Sequence, residues 1–220
     1  MSNIQGKFPN TRLRRNRMKE FSRRLVAENK LSTDDLILPL FVCEGNNVED
    51  PIQSMPGVNR YSIDKLLHKV EEAVRFPIPA IAIFPQIESS LKNAEGSLAF
   101  DENNLVCRSI KNIKKEFSGI GIICDVALDP FTDHGHDGLV VNDKIDNDKT
   151  LDILEKQALV QVNAGCDVIA PSDMMDGRVG KIRTVLDSNN FQDTLIYLML
   201  QNTHLDFMVR LEMLLAPVQN

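Results

Sequence analysis

The chain has 220 residues, of which 43% are hydrophobic, so it is long enough to form one domain with a buried core. Its 31 acidic and 25 basic residues give a net charge of -6, which argues against a general nucleic-acid binder or a protein of anionic membrane surfaces. No apolar run approaches the roughly 20 residues of a membrane span, and the four cysteines form no CxxC pair, so we expect a cytoplasmic protein without a disulfide framework.

The first segment, residues 1–30, is strongly basic. Its basic residues include Arg12, Arg14, Arg15, Arg17, Lys19, Arg23 and Arg24. On charge pattern alone, this composition indicates a solvated basic arm, with nucleic-acid binding as a minor alternative.

Residues 31–196 alternate short apolar runs with longer amphipathic stretches, a pattern typical of parallel α/β proteins. The apolar runs predict strands at 36–42, 80–84, 119–128 and 167–170. The amphipathic stretches predict a helix capped by Ser62, helices at about 105–117 and 149–163, the latter ended by Gly165, and a fourth helix after Gly177. Because complete barrels typically need about 250 residues, we expect a truncated (β/α)8 TIM barrel of four to five βα units, with an extended N-terminal arm.

An acidic stretch follows the third predicted strand. It contains Asp125, Asp129, Asp133, His134, His136 and Asp137. Crowded carboxylates repel one another, which favours a bound cation, hydrogen bonds or protonation with a raised pKa. Carboxylate oxygens prefer hard cations such as magnesium. The alternative is a solvated acidic loop whose aspartates cap helices.

A second polar stretch follows the fourth predicted strand. Ser172, Asp173, Asp176 and Arg178 bring together a hydroxyl, two carboxylates and a guanidinium. Active sites of parallel α/β enzymes lie on the loops after the carboxyl ends of strands, so this stretch is a candidate active-site loop. The alternative is the first turn of a helix, capped by Ser172 or Asp173 and bent at Gly177.

The strings DPFTDHGHDG and SDMMDGR together resemble those of porphobilinogen synthases, also called delta-aminolevulinic acid dehydratases, and the resemblance runs from about Thr11 to about Ile196. It implies a lyase that condenses two 5-aminolevulinate molecules to porphobilinogen in tetrapyrrole and haem biosynthesis. It further implies that Ser172 and Asp173 line the substrate cavity and that Asp125 aids proton transfer or orientation. Another barrel aldolase with a lysine imine would not explain both strings.

The resemblance also bears on metals and assembly. Zinc-dependent members carry three cysteines at the places held here by Ala127, Asp129 and Asp137. The chain therefore resembles the aspartate-containing branch, which implies magnesium or a monovalent cation at Asp129 and Asp137 and no catalytic zinc. Residues 11–15, which include Arg12, Arg14 and Arg15, match the family's arm motif and imply a homo-oligomer, a homo-octamer in this family, held through the arm.

The family reaction depends on two Schiff-base lysines, and the resemblance implies that both are missing. The lysines considered lie on predicted helices or in a polar loop: Lys65, Lys69, Lys111, Lys114, Lys115, Lys144, Lys149, Lys156 and Lys181. Residues 197–220 no longer resemble the family, but their back-translation in a shifted frame can read LSYAAKYAFRFYGPFRDAV, a family-like segment with one of the lysines. We therefore expect a frameshifted, aberrant tail, which is either accidentally hydrophobic or a makeshift helix over the open half-barrel.

Two functional hypotheses follow from these observations. The first is a porphobilinogen synthase family enzyme whose chain is inactive alone. The alternative is a non-catalytic remnant, or an association partner of a full-length subunit.

Overall fold

The structure, a computed structural model, describes residues 6–198, so nearly all of the predicted aberrant tail lies outside the described residues. The chain divides into two compact units, the first ending at Asp35 and the second beginning at Leu36. The predicted segment boundaries after residues 30 and 196 stay predictions.

The first unit contains short helical segments. A 3-10 helix spans Leu13–Arg17, α1 spans Glu20–Leu25, and a second 3-10 turn spans Thr33–Asp35. None of these segments contains a buried residue, and apolar side chains such as Phe21 are exposed. Packing of an apolar face supplies most of the stability of a short helix. These segments therefore have no core of their own.

A seven-stranded, mostly parallel sheet forms the centre of the second unit. Its strands are β1 (Ile37–Val42), β2 (Glu49–Pro51), β3 (Asn59–Tyr61), β4 (Ala80–Pro85), β5 (Gly121–Asp125), β8 (Val168–Ala170) and β9 (Leu195–Ile196). The order is β2-β3-β1-β4-β5-β8-β9, and only β2 and β3 pair antiparallel. A separate hairpin joins β6 (Val140–Val141) to β7 (Lys144–Ile145). The predicted α/β class is confirmed, and the sheet is open within residues 6–198.

Four longer helices connect the strands and pack against one another in chain order. They are α2 (Ile63–Arg75), α3 (Leu105–Glu116), α4 (Asn147–Ala164) and α5 (Arg178–Ser188). Each contributes fully buried apolar side chains to one core with the strands, including Leu66, Ile110, Leu154, Ile182, Ile81, Ile122 and Ile169. No helix in the described part of the chain is both long and apolar enough to cross a membrane.

The predicted strands and helices differ from the observed ones mainly at their ends. The predicted strand 119–128 is too long, because β5 ends at Asp125 while Val126, Ala127 and Leu128 leave the sheet and stay buried. Apolar character signals burial, and it does not distinguish a strand from a buried loop. As predicted, Gly165 ends α4 in the left-handed conformation at φ +111°.

The predicted N-cap of α2 is confirmed in position, but it lacks the expected capping hydrogen bond. Ser62 occupies the N-cap position, but its hydroxyl makes no hydrogen bond to a helix amide. It donates instead to Asp64 at 2.7 Å and accepts from the Val48 N–H at 2.8 Å. The hydroxyl thus bonds to the segment before β2, and not to the helix amide that local sequence predicts as its partner.

Candidate active site

The register of β5 and β8 brings the two polar stretches together. Asp125, the last residue of β5, pairs with Ala170, the last residue of β8, so Ser172 follows just beyond the same edge. The Ser172 hydroxyl lies 2.7 and 2.8 Å from the two Asp125 carboxylate oxygens, and its N–H donates to Oδ1 at 3.2 Å. The two predicted site residues are therefore in direct contact, although they are far apart in sequence.

Burial raises the pKa of Asp125 to about 7, since a low-dielectric environment disfavours the charged form. The two hydrogen bonds from Ser172 lower the pKa, and the charges of Asp137 and Asp173 raise it. At neutral pH the carboxyl group is therefore present in both forms, which suits a group that accepts and releases protons.

Asp173 is completely buried at the base of the same loop. Its Oδ1 accepts from the Met175 N–H at 2.7 Å, and its Oδ2 lies 3.7 Å from the Arg178 Nε. Burial raises the pKa of Asp173 to about 6, while the Met175 hydrogen bond and the Arg178 charge lower it. The carboxylate thus joins the turn at residues 173–175 to the start of α5.

The alternative that Ser172 or Asp173 caps the following helix is wrong, whereas the predicted bend at Gly177 is confirmed. The N-cap of α5 is Gly177, at φ +83°, and neither Ser172 nor Asp173 bonds to an amide of the helix. A left-handed φ favours glycine, which has no Cβ to clash with the backbone. The Ser172 hydroxyl is consequently available for its contact with Asp125 at the end of β5.

Asp125, at the end of β5, and Asp129 and Asp137 after it lie close enough to interact, whereas Asp133 is exposed. Burial and the neighbouring charges of Asp137 and Asp125 raise the pKa of Asp129 to about 9. A hydrogen bond between the Asp137 and Asp129 carboxyl groups also raises it, because one of them then holds a proton. The alternative of a solvated acidic loop therefore fits Asp133 alone.

The two predicted metal ligands, Asp129 and Asp137, have donor chemistry that fits a hard cation. Within residues 6–198, no group of three or more His, Cys, Asp or Glu side chains forms a metal-binding cluster. Magnesium is commonly held by one or two carboxylates together with water, so a carboxylate pair is a sufficient protein contribution. The role of this pair as metal ligands stays a prediction.

The His134 ring and the His136 backbone take part in hydrogen bonds within the acidic loop and to the loop after β4. The His136 N–H donates to His134 Nδ1 at 3.1 Å, and His134 Nε2 lies 3.4 Å from the Ala94 carbonyl. The Thr132 hydroxyl donates to the His136 carbonyl at 2.9 Å. These bonds shape the loop and tie it to the loop after β4.

Lys92, which the sequence pattern did not single out, lies beside this cluster. The next residue, Asn93, accepts at its carbonyl from Asp133 and donates its N–H to Phe131, which fixes this segment along the acidic loop. Burial lowers the pKa of Lys92, and the charge of Asp129 raises it. A lone lysine in a polar loop carries no sequence signal, so only the fold brings it to the site.

Two buried glutamines of α4, Gln157 and Gln161, also contact the end of β5 and were not predicted. They had a usable signal, since they stand four residues apart on the stripe of α4 that also contains Leu154 and Ala158. Lys149, assigned from sequence to a polar loop, lies in α4, whose cap is the Asp146 side chain.

Comparison with known proteins gives a consistent result. A family model described as delta-aminolevulinic acid dehydratase matches residues 10–199. The delta-aminolevulinic acid dehydratase of Bradyrhizobium diazoefficiens is 56% identical over 84% of this chain and 52% of its own length, and that of Chlamydia pneumoniae is 44% identical over 84% and 56%. The chain therefore spans little more than half the length of these relatives.

A solved structure is similar over nearly all of the chain. It is the delta-aminolevulinic acid dehydratase (porphobilinogen synthase) of Toxoplasma gondii ME49, in complex with the reaction product porphobilinogen. The TM-score is 0.89 at 39% identity, and the match covers 93% of this chain and 58% of the other. The sequence identity and the fold point to the same relatives.

Proposed function

This chain belongs to the delta-aminolevulinic acid dehydratase family, and we propose that Asp125, Ser172 and Asp173 form part of an active site that condenses two 5-aminolevulinate molecules into porphobilinogen, with loss of two waters. The proposal rests on the contact between Asp125 and Ser172, which joins the loops after two neighbouring parallel strands. Ligand sites of parallel α/β proteins lie at this edge.

The chemistry of the site fits this reaction. Condensation at a carbon beside an imine needs a group that removes and returns protons, and such a group works best with a pKa near the working pH. Asp125, with a pKa of about 7, meets this requirement. Ser172 holds the carboxylate in one orientation through its hydroxyl and its N–H.

We assign Ser172 and Asp173 to the substrate cavity, with different contributions. The Ser172 hydroxyl lies at the partly buried edge beside Asp125. Asp173 is fully buried, and its hydrogen bond from the Met175 N–H and its ion pair with Arg178 fix the loop that presents Ser172. Its part is therefore to position the loop.

The second unit is, in this proposal, the first part of a (β/α)8 barrel. The parallel run β1-β4-β5-β8-β9 is ordered as in such a barrel, with a helix after each of the first strands. The TM-score of 0.89 to a family structure supports this assignment. A cytoplasmic location, expected from the cysteine pattern, and a homo-oligomer held through the basic arm, implied by the family resemblance, stay predictions.

Asp129 and Asp137 would hold magnesium or a monovalent cation. Such a cation would supply positive charge beside Asp125 and would favour its ionised form. None of the three positions that hold cysteine in zinc-dependent members has a cysteine here, since they hold Ala127, Asp129 and Asp137, so no catalytic zinc is expected.

A non-catalytic role, as a remnant or as an association partner of a full-length subunit, is the second candidate. One observation favours it. In the described range 6–198, the loops after β5, β8 and β9 contain no lysine up to residues 143, 177 and 198, and Lys92, in the loop after β4, is the one lysine in a loop after a parallel strand of the sheet. Barrel enzymes place their reactive groups at such strand ends.

Borohydride trapping tests whether any lysine of this chain forms an imine with the substrate, which a non-catalytic role excludes. The purified chain is incubated with 5-aminolevulinate and sodium borohydride, and its intact mass is measured. An unchanged mass is expected if this chain binds substrate without forming an imine. A stable adduct would show that one of its lysines is a nucleophile, and peptide mapping with K92Q as the matched variant would identify or exclude Lys92.

Loss of binding tests the site itself. Binding of 5-aminolevulinate, followed by calorimetry, is expected for the parent chain and should weaken in S172A. Equal binding by the parent and S172A would remove Ser172 from the substrate cavity. Absence of binding by the parent would favour the non-catalytic role.

A further inference from the structure

Helix α4 presents two glutamines to the end of β5, beneath the candidate active site. Gln161 Nε2 donates to the Asp125 carbonyl at 2.8 Å, and Gln157 Nε2 donates to the Ala127 carbonyl at 3.1 Å. Both side chains are 1% exposed. Burying an amide is unfavourable unless its polar atoms find partners, so a purely packing role would be better served by an apolar residue.

The side-chain oxygen of each glutamine is unusual. The Oε1 atoms of Gln157 and Gln161 are buried and have no hydrogen-bond partner among the described residues. Each Nε2 already donates to a backbone carbonyl, so rotating either amide would place an oxygen against that carbonyl. The orientation is therefore fixed, and two acceptors remain to be satisfied.

Both glutamines line one cavity of about 20 Å³. A cavity of this size admits one water molecule, and buried waters typically satisfy polar groups that protein atoms leave without partners. The remaining lining includes Asp125 and apolar side chains such as those of Ile83, Phe131 and Val106. The cavity is too small for a metabolite.

We propose that Gln157, Gln161 and one internal water molecule form a buried clamp that positions Asp125. In this clamp the water donates one O–H to each glutamine oxygen, and the two amides donate to the carbonyls of residues 125 and 127. The clamp fixes the chain where β5 leaves the sheet, and it thereby sets the contact of the Asp125 carboxylate with Ser172. Its catalytic meaning rests on the proposed function, whereas the clamp itself does not.

The glutamines are positioning residues, so the test measures the bound water and the hydrogen bond at Asp125 instead of enzymatic turnover. The first measurement uses the unaltered chain: water-to-amide cross-relaxation is recorded by NMR at the side-chain amides of Gln157 and Gln161. A long-lived internal water gives cross-peaks at both. The exposed Asn163, on the same helix, is the internal control and should give none.

The second measurement uses Q161M, which keeps the length of the side chain and removes its hydrogen bonds. The Ser172 N–H, which donates to Asp125, should exchange with deuterium about tenfold faster, the effect of losing one hydrogen bond of ordinary strength. The amide of Ile81, in the middle of the sheet, should keep its rate, and N163A should change neither.

The outcomes separate the clamp from general stability and from the proposed function. Absence of cross-peaks in the unaltered chain overturns the water. An unchanged Ser172 rate in folded Q161M, or an equal rise at Ser172 and Ile81, overturns the positioning role. Failure to bind 5-aminolevulinate would count against the proposed function, but it would contradict neither the internal water nor the positioning role of the two glutamines.

Discussion

Replacing Asp125 with asparagine should change the pH dependence of stability in a defined direction. The pKa of Asp125 rises from 3.8 to about 7 on folding, so the folded chain binds this proton more tightly than the unfolded chain. Below about pH 4 the carboxyl is neutral in both the folded and the unfolded chain, so it does not alter the free energy of unfolding. Between pH 4 and 7 the carboxyl ionises in the unfolded chain but stays largely protonated in the folded chain, so the free energy of unfolding falls as the pH rises. Above pH 7 it falls no further on account of this group.

The magnitude follows from the shift. About three pKa units at 1.36 kcal/mol each give at most about 4 kcal/mol, and the partial exposure of Asp125 reduces the figure. The asparagine side chain of D125N cannot ionise. The free energy of unfolding of D125N minus that of the parent should therefore increase by roughly 2–4 kcal/mol between pH 4.5 and 8. The Asn side chain keeps an oxygen that can accept from Ser172, which limits other losses.

Urea unfolding followed by circular dichroism at pH 4.5, 6 and 8 measures the effect. The exposed Asp152 on α4 provides the control, as D152N removes one charge without altering a buried site. Parallel stability curves for D125N and the parent across this range would refute the reasoning, because they would mean that Asp125 has the same pKa in both states.

Three further predictions concern the neighbouring groups. S172A removes a hydrogen bond that favours the carboxylate, so the pKa of Asp125 should rise above 7 in a ¹³C NMR titration. D173A leaves the Arg178 guanidinium without its carboxylate and should cost roughly 2–3 kcal/mol in urea unfolding at pH 8. Magnesium should raise the melting temperature of the parent more at pH 9 than at pH 7, because it must displace the proton that Asp129 holds, and D129N should abolish this effect.

Each of these three predictions has an outcome that would contradict it, and two have a control variant in the same loop. An unchanged or lowered midpoint in S172A would contradict the role of its hydroxyl. D176A, at an exposed aspartate of the same loop, should cost little, and an equal loss in D173A and D176A would exclude a special ion pair. D133N should retain the magnesium response, and a response that survives in D129N would place the cation elsewhere.

Local patterns in the sequence predicted much of the framework. Apolar runs located β1, β4, β5 and β8 to within a few residues, because a strand buried on both faces must be apolar throughout. Gly165 marked the end of α4, since its left-handed conformation strongly favours glycine. The short strands β2 and β3 were missed, because three residues carry too little pattern to distinguish a strand from a loop.

The sequence by itself determined the family and the polar stretches that build the site, because those strings occur in continuous order. Only the tertiary structure decided which groups meet: Ser172 bonds to Asp125 and not to its helix, and Gln161 holds the same strand end from α4. It also brought Lys92 beside the acidic loop. The physical reason is that register and helix packing join residues far apart in the chain, whereas local propensity acts only over a few neighbours.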